Sequence, residues 1–165
     1  MRMLTILSLI GCLTILCCAC AAASPPANQP INPGDRLGDF VFSTGDVSIA
    51  GLPHNYTCTE SETTTDCKTT AGTQVNISPS FFDNTHSGKI DDLWSEISHE
   101  MLIDGRPINL QAFGYIDVPN PMVGSVRKWN VAMLTDKPGS IVVQHSGVFA
   151  GKPFQYTATW TFTAP

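Results

Sequence analysis

Between residues 154 and 163 apolar and polar positions alternate without a break. Tyr156, Ala158, Trp160 and Phe162 stand on one side, and Gln155, Thr157, Thr159, Thr161 and Thr163 on the other. A period of two is the mark of a strand with one buried and one hydrated face. Trp129, Val131 and Met133 repeat the pattern within 126–135, and residues 109–118 and 140–149 are further strand-length segments. Pro119-Asn120-Pro121, Asp136-Lys137-Pro138-Gly139 and Ala150-Gly151-Lys152-Pro153 separate them with turn chemistry.

The first half is less regular. Residues 39–43 read as a first strand and Val47-Ser48-Ile49 as a short second one. Residues 56–78 are Thr-rich and polar, which suits an exposed hairpin better than a core element. In 90–103, Leu93, Trp94 and Ile97 fall near helical spacing behind Asp91 and Asp92, which favour a helix start. Ile97, His99, Met101 and Ile103 also alternate. The expectation is a short helix around 90–98, then a strand entering the Asp104-Gly105 turn, a strong hairpin signal.

The first 23 residues stand apart. Arg2 precedes a mostly apolar run from Met3 to Leu16, and Ala19-Cys20-Ala21-Ala22-Ala23 closes it, the layout of an export signal. Two processing routes stay open: cleavage after Ala23, or acylation of Cys20 as a lipoprotein anchor, although Cys17 stands at −3 where Leu is usual. Residues 24–36 are rich in Pro, Asn and Gly and read as an extended tether. The expected order is a signal over 1–23, a tether over 24–36 and one sandwich domain over 37–165.

Removal of 23 residues from 165 takes one positive charge with it, so the formal net charge moves from −5 to −6. That acidity, with Arg127-Lys128 as the only basic pair, argues against nucleic acid, which needs clustered cations. A single basic pair ordinarily sits on a solvated strand face. No second apolar run is long enough to span a bilayer, so membrane contact is expected only through a lipid on Cys20. Four of the six cysteines lie in the signal; Cys58 and Cys67 are left, eight polar-rich residues apart, and are expected to form one disulfide.

Residues 83–91 resemble a calcium loop. Asp83, Thr85, Ser87 and Asp91 supply oxygens at positions 1, 3, 5 and 9, and Gly88 stands at position 6, but position 12 is Trp94 where a bidentate Glu is needed. His99-Glu100 opens like a zincin motif and fails at Ile103. The four histidines show no ligand spacing, and no nucleophile elbow or phosphate loop is present. No cofactor is implied. Of the three tryptophans, Trp129 and Trp160 lie on faces that read as core, which leaves Trp94 as the candidate exposed binding aromatic.

Trp129 in a middle strand, Pro138-Gly139 before Ile141-Val142-Val143, and the closing Tyr-x-Ala-x-Trp-x-Phe strand resemble the immunoglobulin-like modules of bacterial envelope and secreted proteins. The likeness covers about 60 residues and is architectural. The paired cysteines of antibody domains are absent, since Cys58 and Cys67 are too close to join two sheets. The resemblance implies an all-β, mainly antiparallel sandwich and says almost nothing of activity. The expected function is a non-catalytic exported envelope module that binds or spaces an envelope or extracellular partner. A calcium- or carbohydrate-binding sandwich and a hydrolase of envelope polymers are the alternatives.

Overall fold

The computed structural model describes residues 29–45, 56–83, 90–120 and 122–165. Chain order runs β1 (Arg36–Leu37), β2 (Phe40–Ser43), β3 (Tyr56–Glu60), β4 (Thr64–Thr70), β5 (Val75–Asn76), α1 (Ile90–Ser95), β6 (Ser98–Ile103) and β7 (Arg106–Pro107). It continues with α2 (Leu110–Phe113), β8 (Tyr115–Asn120), β9 (Gly124–Trp129), β10 (Ala132–Leu134), β11 (Gly139–Phe149) and β12 (Lys152–Thr163). The protein is all-β, as its alternation predicts, with only two short helices among the described residues.

Three sheets form. The largest has the order β3-β4-β12-β11-β6-β7, a four-stranded one runs β1-β2-β10-β5, and β8 pairs with β9 alone. All pairs are antiparallel except β4 with β12. Phe40 of the small sheet meets Phe162 of the large one edge to face at 5.6 Å, so the two layers share one apolar cluster. Trp160, Phe162, Ile141, Val143, Met101 and Ile103 fill it from the large sheet. Two hairpins follow from their turn residues: Asp104-Gly105 joins β6 to β7 and Ala150-Gly151 joins β11 to β12, all four at positive φ.

Cys58 and Cys67 face each other across β3 and β4 and are disulfide-bonded. Their hairpin is not the free-standing element its polarity suggests. Its second strand lies beside β12, so Cys67 and Thr69 are buried. Residues 90–103 form the expected helix and strand, α1 and β6.

Four expectations need correction. The tether is folded over its described part, residues 29–36. Ile31 is 0% exposed, its amide donates to the Pro107 carbonyl, and its own carbonyl accepts from the Asn109 amide. Residues 109–118 are not one strand. Asn109 caps α2 by accepting from the Ala112 amide, and Leu110 and Phe113, three apart, both reach the core, which a strand would prevent.

Residues 126–135 are likewise two strands. Asn130 breaks them by donating to the Gly45 carbonyl and accepting from the Gly45 amide, and the chain crosses from β9 to the small sheet. Arg127 and Lys128 are not on a solvated face; they are 5% and 6% exposed. The expected strand at 47–49 and signal at 1–23, with Cys20, lie outside the described residues.

Candidate functional site

The inward face of the large sheet changes character along its length. On β6, Ile103 and Met101 give way to His99; on β11, Ile141 and Val143 give way to His145; on β12, Trp160 and Ala158 give way to Tyr156. The register sets His145 opposite Met101 and Tyr156, and sets His99 opposite Gly147. Gly147 lets the backbones of β6 and β11 approach closely, and the two imidazoles meet on the diagonal, with His99 Nε2 3.2 Å from His145 Nδ1. Tyr156 stacks on His145 at 4.5 Å, while Phe81 and Phe154 turn against the His99 ring.

Burial disfavours charge on this pair. It lowers His99 to about 4, and burial followed by the neighbouring His99 lowers His145 to about 3. Both rings are neutral at pH 7. Burial, then Glu60, raises the Tyr156 phenol.

Two clefts flank the pair. The first, of about 920 Å³, is lined by His99, Trp94, Tyr115, Trp129, Glu100 and Gln111 among others. The second, of about 680 Å³, includes His145, Tyr156, Trp160, Tyr56 and Glu60. Each is lined by one tryptophan and one histidine that carry a side-chain nitrogen buried without a hydrogen-bond partner among the described residues. The nitrogens are Trp129 Nε1 and His99 Nδ1 for the first cleft, and Trp160 Nε1 and His145 Nε2 for the second.

Trp94, the aromatic singled out by sequence, is half-buried rather than free. It sits in α1 between Phe81, Tyr115 and Trp129, at ring separations of 5.7, 5.3 and 4.9 Å. Arg127 braces this group from beneath. Its guanidinium lies 4.4 Å from the Tyr115 ring centre, donates twice to Asp117 and once to Asp91, and is held protonated chiefly by the Asp117 hydrogen bonds. Tyr115 keeps 49% of its surface open.

Only two of the four calcium-loop residues fall among the described residues. Asp83 is buried, Asp91 is ion-paired to Arg127 at 2.7 Å, and Thr85 and Ser87 lie outside the described residues. Lys128, expected on a solvated face, is buried and lowered by that burial to about 8.

The histidine pair escaped the sequence reading because its members are 46 positions apart. Each does occupy an inward position of an alternating strand, and that was the available signal. Chemically the clefts offer aromatic faces, with carboxylates at Glu60 and Glu100 and no cluster of cations. Comparison with protein families, with characterised proteins and with solved structures finds no match to this chain.

Proposed function

We propose that this chain is an exported, immunoglobulin-like envelope module that binds a neutral saccharide in the first cleft and performs no chemistry on it. One observation carries the reading: the half-buried Trp94 and the open ring of Tyr115 lie 5.3 Å apart in the first cleft. Sugars present C–H faces that pack on aromatic rings. The carboxylate of Glu100 at the same cleft disfavours an anionic ligand. Export rests on the signal layout, and the disulfide suits an oxidising compartment.

Calorimetry with chitotetraose, a soluble β-1,4-linked N-acetylglucosamine tetramer, tests the site. The expected Kd lies between about 10 μM and 1 mM, and Trp94→Ala weakens it at least about tenfold. Absence of heat and of any tryptophan fluorescence change at millimolar ligand refutes the saccharide reading. Mass spectrometry of the processed N-terminus tests export: a diacylglycerol mass on Cys20 or a free Ser24 supports it, and an intact Met1 overturns it.

A further inference from the structure

The pairing of the large sheet leaves one stretch of β6 open at its edge. Asp104 donates its amide to the Val142 carbonyl, and the ladder goes on through Leu102 with Gln144, Glu100 with Ser146 and Ser98 with Val148. Alternate residues of an antiparallel strand bond to a given neighbour, so these residues turn their main-chain groups towards β11. Ile103, Met101 and His99 turn theirs the other way. Ile103 pairs with Arg106 of β7, and the Met101 carbonyl accepts from the Ile108 amide. His99 finds no such main-chain partner among the described residues. The position that would face it is Leu110, which has entered α2 and gives its carbonyl to the Gly114 amide. On the other side the chain turns, with the Ile97 amide donating to the Trp94 carbonyl. The open stretch is one residue long.

The first cleft runs along this edge. Ser98, His99 and Glu100 all line it, although consecutive strand residues point their side chains to opposite faces. Only a cleft that reaches the edge of the strand meets all three. No residue of β11, which occupies the other edge, lines it. The His99 amide and carbonyl therefore face a space whose walls also carry Trp94, Tyr115, Ile108 and Leu110. A ligand matches what water gives such groups only by supplying one acceptor and one donor together.

A 2-acetamido sugar has that pattern. Its nitrogen and its C3 oxygen are joined as N–C–C–O, the same connection that joins the amide nitrogen and carbonyl oxygen of one amino-acid residue. The C3 oxygen accepts from the His99 amide, the acetamido N–H donates to the His99 carbonyl, and the acetyl methyl packs on the apolar wall of Ile108 and Leu110. An extended peptide would find a single residue to pair with here, too little to hold an added strand. We propose that the first cleft selects saccharides bearing a 2-acetamido group, read by the main-chain amide and carbonyl of His99. The proposal rests on the saccharide reading of this cleft and narrows it to one class of sugar.

The test sets chitotetraose against cellotetraose, which keeps the β-1,4-linked backbone and carries a hydroxyl in place of each acetamido group. In calorimetry on the full chain, chitotetraose should bind at least about tenfold more tightly. In ¹H–¹⁵N spectra it should move the His99 main-chain amide and slow its exchange with solvent. The Glu100 amide, which faces β11, should stay protected with or without sugar. Equal affinity for the two sugars overturns the acetamido selection and leaves the saccharide reading standing. Binding of chitotetraose with the His99 amide unmoved overturns the contact at the open edge. Binding of neither sugar overturns both readings. A blocked tetraalanine peptide that moves the His99 amide at lower concentration than chitotetraose overturns the choice of a sugar in favour of strand addition.

Discussion

Gly147→Ala is the most direct test of how the histidine pair is built. Gly147 lies on β11 opposite His99 of β6. A β-carbon there would overlap the Ser98 carbonyl oxygen and stand 2.8 Å from the Ser98 carbonyl carbon and 3.0 Å from His99 Cα. All three are backbone atoms, so no rotamer change relieves the overlap; β6 must move away from β11. Overpacking of this kind costs about 1–3 kcal/mol. Parting the end of the ladder, where His99 pairs Gly147 and Ser98 pairs Val148, adds about 0.5–1.5 kcal/mol for each hydrogen bond lost. The expected loss is therefore about 2–5 kcal/mol. Urea unfolding followed by tryptophan fluorescence should show the midpoint falling by roughly 1–3 M with little change in slope. Gly139→Ala is the control, because its β-carbon would meet only the Phe40 ring, at 3.4 Å. It should cost less than about 1 kcal/mol. A Gly147→Ala protein within about 0.5 kcal/mol of the native chain refutes the close approach, and with it the reason the imidazoles can meet.

Acid should weaken the fold in a defined window. His99 and His145 titrate near 4 and 3 when folded against 6.5 when unfolded, so the unfolded chain binds more protons between those values. Their contribution is whole above pH 6.5 and is lost as pH falls towards 4 and 3. The two together cost about 4 kcal/mol by pH 5, and urea midpoints that stay flat from pH 7 to 5 would exclude it. Cys58→Ser should cost about 2–3 kcal/mol, with reductant producing the same fall in Tm in the native chain and none in the variant. Ala150→Asn should raise stability by about 0.5–1 kcal/mol in thermal melts, since Ala150 holds φ 51° in a two-residue turn that favours Asn-Gly.

Local chemistry was legible from sequence wherever it decided the outcome. The alternation through Tyr156, Ala158, Trp160 and Phe162 became β12, and Asp104-Gly105 became a turn, because pattern and turn residues agree there. Residues 109–118 misled because capping by Asn109 outweighed strand pattern. The burial of Arg127 depends on Asp91 and Asp117 arriving from two other elements, which no local signal shows. The parallel pairing of β4 with β12 and the diagonal meeting of His99 with His145 are matters of register. Trp94, expected to stand exposed, is half-buried, since Phe81 and Trp129 close on it from distant segments.

The position of β12 bears on the order in which the molecule can assemble. It is the last strand in chain order, yet it lies between β4 and β11 in the large sheet. Until it has been synthesised, the disulfide-bonded hairpin has no neighbour to dock on and one edge of β11 lacks its partner strand. Pairing between residues nearly a hundred positions apart, such as Thr64 with Thr157, closes the sheet last and slowly. A ribosome-bound nascent chain ending before Lys152 should consequently remain open and protease-sensitive.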